Sequence, residues 1–281
     1  MPSWSRIAVL KIHDEDRLAR ELLPAVIAAG RVTMRSFKAG GAVATKSDGS
    51  PVTIADQLSE DILLAALSRI APGIPVVAEE AHAGGAASTT ASQFFLVDPL
   101  DGTREFTNGI GEFTINVGLI DGGVPVFGVI YAPALSKLYI TLRRTHAVTA
   151  NIAPDHPAPD LNHLILTRLA VRSHDPRAPQ TIVASRSHGS PELEHWLSNI
   201  TIAERRNIGS SLKFCLVAEG LADLYPRLGP TKEWDTAAGH AIVTAAGGTV
   251  TILDGGALLY GKHDTNFLNP PFIVRAAAHL G

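Results

Sequence analysis

From Asp14 to Phe37 apolar residues recur every three or four positions, at Leu18, Leu22, Ala25, Val26 and Ala29. They predict an amphipathic helix that Pro24 can kink and that Gly40 and Gly41 end. A second helix opens at Asp56 and carries Leu58, Ile62, Leu63, Ala66, Leu67 and Ile70 along one side until Pro72 and Gly73 stop it. Between them, the KSDGSPVT stretch from Lys46 to Thr53 reads as a turn. A short strand at Pro75 to Ala78 follows, then a Gly/Ala/Ser-rich loop from Ala83 to Ser92 with the composition of a mobile linker, then a buried strand from Phe94 to Val97. From Glu112 to Leu142 the segments EFTINVGLI, VPVFGVIYAP and KLYITL, separated by turn residues, predict antiparallel strands.

Residues 145 to 180 carry five prolines and weak periodicity, and predict an irregular connection at a subdomain boundary. Beyond it the pattern gives a strand at Thr181 to Ser185 and helices at Pro191 to Ile200, Ser210 to Leu221 and Thr236 to Ala246. Strands at Val250 to Leu253 and Phe272 to Val274 complete it. Helices mixed with mostly antiparallel strands argue for an α+β fold of layered elements rather than a Rossmann sheet. A single domain over 1–281 is expected, with an antiparallel-sheet, metal-binding half at about 1–150 and a smaller α/β, substrate-binding half at 180–281.

Composition narrows the class. At 281 residues, 46% hydrophobic and 18% charged, the chain is globular rather than disordered. A net charge of -3 gives no basic footprint for a nucleic-acid polymer, so a small anionic ligand has to be held by local groups. The single cysteine, Cys215, lies in an apolar run; it fits buried packing and a reducing compartment, and excludes a Cys-based metal cluster. With no apolar stretch of membrane-spanning length, a soluble cytoplasmic protein is the expectation, and loose association with the inner face of a membrane stays open.

Candidate chemistry concentrates in FFLVDPLDGTREF, Phe94 to Phe106. Asp98 and Asp101, three residues apart at the end of a buried strand, repel unless a cation or proton lies between them. Hard cations such as Mg²⁺ take oxygen ligands and are commonly shared with a substrate phosphate, which the amides after Gly102 could cradle. An Asp-rich turn accounts for the same residues. Glu79 and Glu80 follow another apolar run, VVA, and could be a solvated strand end. Asp235 precedes a small-residue helix that it could cap, and Asp56 could be a helix cap or a first-turn acid.

Taken together and in this order, VVAEE, DPLDGTREF and WDTAAGHAI resemble the inositol monophosphatase superfamily of Mg²⁺-dependent, lithium-sensitive phosphatases, over nearly the whole chain. Arg104-Glu105-Phe106, the SRSH of Ser185 to His188, and the run GSSLKFCLVAEGLADLYPRLGPTKEWDTAAGH are similar to the bacterial 3′(2′),5′-bisphosphate nucleotidases of that superfamily. The resemblance implies a layered α-β-α-β-α sandwich. It implies that Glu79, Asp98, the Leu100 carbonyl, Asp101 and Asp235 hold two to three Mg²⁺ ions, with Li⁺ or Ca²⁺ as candidate inhibitors, and that Thr103 and Asp56 orient and help deprotonate a water. Gly102 and Thr103 would hold phosphate oxygens. Ser210, Lys213 and Arg227, or Arg186, could meet a second phosphate, and His188 and Tyr225 could flank a base. Lys46 and Asp48 match a polar loop near the metals.

The implied reaction is hydrolysis of adenosine 3′,5′-bisphosphate (PAP) to AMP and phosphate, and of 3′-phosphoadenylyl sulfate (PAPS) to adenylyl sulfate, in sulfate assimilation. Inositol monophosphate or fructose 1,6-bisphosphate is the alternative substrate, and a binding-only nucleotide sensor is the rival from another class. Family members are often homodimers. The proline-rich segment from His146 to Arg177 departs from the family's compact Gly-rich turn after the KLY strand.

Overall fold

The computed structural model describes residues 14–40, 43–45, 51–85, 91–157, 159–186 and 190–278. The expected first helix is α1 (Asp14–Lys38), with Pro24 inside it. The last three residues of the predicted turn are instead a strand, β2 (Pro51–Thr53), paired antiparallel with β1 (Val43–Thr45). The tip of the turn, with Lys46 and Asp48, lies outside the described residues, as does half of the 83–92 loop. Helix α2 (Ile54–Ile70) starts two residues before Asp56, because Thr53 caps it. The Thr53 hydroxyl accepts from the Ala55 amide at 3.1 Å, and Asp56 Oδ2 accepts the Thr53 amide and hydroxyl at 2.7 Å each. Asp56 is therefore a first-turn acid in a capping box.

The seven-stranded sheet runs in sequence order: β3 (Val76–Ala78), β4 (Gln93–Asp101), β5 (Thr114–Asp121), β6 (Val124–Ala132), β7 (Lys137–Arg143), β8 (His146–Asn151) and β9 (Thr167–Arg168). Only β3 and β4 are parallel. Short helices α3 (Glu79–Ala83) and α4 (Thr103–Thr107) follow β3 and β4. The irregular connection expected from residue 145 starts later, because HAVTAN pairs along β7 as β8. A two-residue strand, β10 (Ser173–His174), follows β9.

The second sheet comprises β11 (Gln180–Ser185), β12 (Ile202–Ile208), β13 (Leu224–Arg227), β14 (Thr249–Ile252) and β15 (Phe272–Arg275), in the order β12-β11-β13-β15-β14. Its helices are α5 (Pro191–Leu197), α6 (Leu212–Ala218) and α7 (Ala237–Ala245). At the carboxyl end β16 (Ala277–Ala278) pairs with β10.

Burial stacks these elements into five layers. Leu22, Val26, Leu63 and Leu67 of α1 and α2 pack on Phe95, Val97, Val117 and Phe127 on one face of the large sheet. Its opposite face, with Phe94, Leu96 and Ile130, meets Phe214 and Cys215 of α6 and Ile242 of α7. Val183, Tyr225, Phe272 and Val274 of the second sheet lie in the same core. Leu193 and Leu197 of α5 cover the outer side at Ile182, Leu224 and Ile273. This is the expected α-β-α-β-α sandwich, and removing these apolar faces from water holds it together.

Helix α7 crosses β6 in direct contact at Gly128. A Cβ there would meet the Ala238 carbonyl oxygen, with the Ala238 carbonyl carbon and Cα at 2.9 Å. Backbone cannot move aside as a side chain can, so Gly128→Ala is expected to cost about 3 kcal/mol, checked by urea denaturation. Among the described residues no helix is long and apolar enough to cross a membrane.

Candidate active site

The parallel register Ala78↔Val97 brings the end of β3 alongside β4, so Glu79, the first residue past β3, neighbours Asp98. Strand β4 does not stop at Val97 as expected. It runs on through Asp101, with a register shift between Asp98 and Asp101. Residues three apart on a regular strand point to opposite faces; the irregularity lets both aspartates line one cavity. Asp98 Oδ1 accepts the Leu100 amide at 3.0 Å, and the Ser59 hydroxyl donates to the Pro99 carbonyl at 2.9 Å. Gly102 then turns the chain at φ +94°, where a Cβ would also lie 2.9 Å from the Glu112 carbonyl, so two constraints demand glycine. Thr103 opens α4, and its hydroxyl donates to the Leu100 carbonyl at 3.1 Å.

The facing wall comes from the second sheet and its helices. Asp235 stands just before α7 but does not cap it: its Oδ2 accepts the Lys232 amide at 2.8 Å. Lys213 on α6 is only 5% exposed. Its ammonium donates to the Ser210 carbonyl and lies 5.5 Å from the Tyr225 ring centroid. Buried Arg227, ending β13, donates to the Gly229 carbonyl at 3.2 Å and the Pro230 carbonyl at 2.6 Å. Together these groups enclose a cavity of about 260 Å³.

Of the residues proposed from the sequence, Glu79, Asp98, Leu100, Asp101, Gly102, Thr103, Ser210, Lys213, Arg227 and Asp235 all line this cavity. Asp56 is not in its lining; it is buried at the start of α2, with β2 and α4 in contact nearby. His188 lies outside the described residues. Tyr225 lines the cavity, but Phe214 and Phe272 pack edge-on against its ring at 5.3 and 5.8 Å, which makes it core as much as platform. Arg186 is held in a fork by Glu112, at 2.9 and 2.7 Å.

Three contributors escaped the sequence reading. Thr53 occupies Asp56, and its signal was the capping-box spacing T-x-x-D. Ser211 links Thr114 at 2.8 Å to Asn116 at 2.7 Å beneath Asp101. Glu60 takes the amides of Glu80 and Ala81 at 2.8 Å each and fixes the start of α3. Neither of the last two has a local signature.

Electrostatics divide the cavity. Burial, then the charges of Glu79, Asp101 and Asp235, hold the Asp98 carboxyl well above the usual carboxylate range. Burial raises Asp101 to about 6, with Lys213 opposing. Burial, Asp101 and Glu79 raise Asp235 to about 8. Burial lowers Lys213 to about 8, Asp101 opposes that fall, and Arg227 adds to it. The cavity thus combines an all-oxygen acidic set that is costly to ionise alone with a buried pair of cations.

Among the described residues no three acidic, histidine or cysteine side chains close into a metal cage. The carboxylates ring a cavity instead of meeting at a point. That suits Mg²⁺, which keeps several waters and shares its shell with substrate phosphate rather than filling a protein cage. The donor chemistry and the mutual repulsion of the carboxylates both fit a hard divalent cation.

The fold and the acidic cavity define a phosphatase of the inositol monophosphatase class. The family model for the inositol monophosphatase family matches residues 14–277, and the chain belongs to that family, which is metal-dependent, generally on Mg²⁺. Within it the chain is similar to the 3′(2′),5′-bisphosphate nucleotidase CysQ of Escherichia coli K12, 43% identical over 232 residues, covering 83% of this chain and 88% of that one. The crystal structure of CysQ from Bacteroides thetaiotaomicron, 36% identical, superposes with a TM-score of 0.79 and covers 95% of this chain and 99% of that one. An inositol monophosphatase from Zymomonas mobilis, at 21% identity, TM-score 0.73 and 96% and 95% coverage, shares the fold.

Proposed function

We propose that this protein hydrolyses the 3′-phosphate of adenosine 3′,5′-bisphosphate to give AMP and phosphate, and converts 3′-phosphoadenylyl sulfate to adenylyl sulfate in the same way. The observation that carries this reading is one cavity lined both by the carboxylates Glu79, Asp98, Asp101 and Asp235 and by two buried cations, Lys213 and Arg227. A substrate with two separated anionic groups matches it, and so does the nucleotidase named among the relatives.

Glu79, Asp98, Asp101, Asp235 and the Leu100 carbonyl would hold the Mg²⁺ ions, and four carboxylates supply charge for two to three of them. Bound there, Mg²⁺ lowers the pKa of water and neutralises charge on the phosphate oxygens. Ca²⁺ prefers longer bonds and more ligands, and Li⁺ carries half the charge of Mg²⁺, which makes both candidate inhibitors. The Thr103 hydroxyl spends its proton on the Leu100 carbonyl, so its oxygen is left to accept from the attacking water and aim it. Gly102 and Thr103 amides face the phosphate. Water attacks phosphorus opposite the ester oxygen and the P–O bond to the ribose 3′-oxygen breaks; one proton of the attacking water stays on the released phosphate, and the other passes through cavity water to the ribose 3′-oxygen, leaving a hydroxyl there. Lys213 and Arg227 bind the far anionic group and set the distance to the scissile one.

Phosphate release with Mg²⁺ from adenosine 3′,5′-bisphosphate, inositol 1-phosphate and fructose 1,6-bisphosphate tests this. A kcat/KM preference of about a hundredfold for the nucleotide, ~2.7 kcal/mol of differential transition-state binding, is expected, and equal rates would discard the nucleotide assignment. Lys213→Ala should raise KM for the bisphosphate at least about tenfold and leave the KM for 3′-AMP, which lacks the second phosphate, nearly unchanged.

A further inference from the structure

The acidic end draws on two walls that belong to different sheets: Glu79 opens α3 after β3, and Asp235 precedes α7. One turn touches both. At Asn266 and Phe267 the backbone enters the left-handed region twice in succession, at φ +54° and +57°. Asparagine tolerates that conformation, whereas a fully buried phenylalanine is an outlier there and is held only by its surroundings. The turn points its groups both ways. Toward Asp235, the Phe267 carbonyl accepts the Glu233 amide at 2.9 Å, and the Asn266 carbonyl accepts the Lys232 ammonium at 2.7 Å. Lys232 in turn gives its amide to Asp235. Toward Glu79, Asn266 Oδ1 accepts from His82 Nε2, one helical turn along α3 from Glu79. The His82 ring lies between Trp234, at 5.5 Å, and the edge of Phe267, at 5.3 Å.

We propose that His82 and Asn266 form a latch that positions Glu79 against Asp235, setting the spacing of the two carboxylates across the sheet boundary. Neither residue touches substrate; both act through the carboxylates. Glu60 already fixes the amino end of α3, so the latch fixes its other end. A carboxylate pair held at the right separation binds a cation without first being reorganised, and a loose pair must be ordered on binding.

The latch rests on Glu79 and Asp235 being cation ligands, and the experiment separates the two ideas. Asn266→Gly removes the acceptor and keeps the left-handed turn, Asn266→Asp keeps both, His82→Ala removes the donor, and Asp235→Asn is the control. Mn²⁺ binding to each full-length variant is measured by electron paramagnetic resonance without substrate, beside the Mg²⁺ dependence of phosphate release. Asn266→Gly and His82→Ala are expected to weaken Mn²⁺ binding about tenfold and raise the half-saturating Mg²⁺ alike, with kcat at saturating Mg²⁺ within about twofold and Asn266→Asp close to the parent. If Asp235→Asn loses Mn²⁺ while Asn266→Gly titrates like the parent, the latch is wrong, whatever the folding of His82→Ala. If Asp235→Asn binds Mn²⁺ unchanged, the ligand assignment beneath it is wrong as well.

Discussion

Replacing Asp98 with asparagine should lower kcat/KM by about a thousandfold or more while leaving a folded protein that withstands urea better than the parent when chelator is present. The two halves of that result have one cause. Asp98 is buried, and the charges of Glu79, Asp101 and Asp235 add to the cost of ionising it, so on the proposed assignment its charge serves the cation and costs the fold. Asparagine keeps the size and one acceptor for the Leu100 amide but cannot supply the charge. Steady-state kinetics across a Mg²⁺ series, beside urea melts in chelator, checks both. An inactive variant that was also less stable would show that Asp98 holds the structure rather than the cation.

The same carboxylates predict how the metal-free protein answers to pH. Asp98 is raised strongly, Asp101 to about 6 and Asp235 to about 8, all chiefly by burial. A carboxyl with a raised folded pKa lends relative stability below its unfolded value, near 4, and loses it as pH climbs through the folded value. Unfolding stability in chelator should therefore fall between about pH 6.5 and pH 8, above the range in which buried His240, held down to about 3, contributes the opposite slope, by on the order of 2 kcal/mol after allowing for partial solvent access to Asp235. Saturating Mg²⁺ should abolish most of the fall, since a cation binding only the folded, ionised set stabilises it by mass action. Calorimetric melts at pH 6.5, 7 and 8, each with chelator and with Mg²⁺, decide it; a metal-free curve flat or rising over that range would mean the carboxylates are not crowded as the cavity implies.

What the sequence disclosed followed the range of the forces involved. Helical spacing placed α1 and α2, and alternation placed β5 to β7, because those periods are written locally. Strand β12, IAERRNI, was missed because it is an exposed edge with no apolar alternation. Strand β13 was missed because Pro226 speaks against a strand; it is tolerated there because β13 meets β11 only at Leu224. The DPLD and WD motifs could be read as chemistry, yet the irregularity that turns Asp98 and Asp101 the same way depends on pairing with β5. The burial of Lys213 could not be read at all. It depends on a counter-charge, Asp101, delivered from the other sheet across a hundred residues of chain.

That division between sheets has an evolutionary side. Glu79, Asp98, Asp101 and Thr103 descend from β3 and β4, whereas Lys213, Tyr225 and Arg227 belong to α6 and β13. On the proposed assignment, and apart from Asp235, the part that cuts and the part that chooses are encoded in separate stretches of the gene. Drift in the later stretch can retool what is selected while the cutting end is inherited intact. A lineage built this way can diversify its substrates without passing through an inactive ancestor.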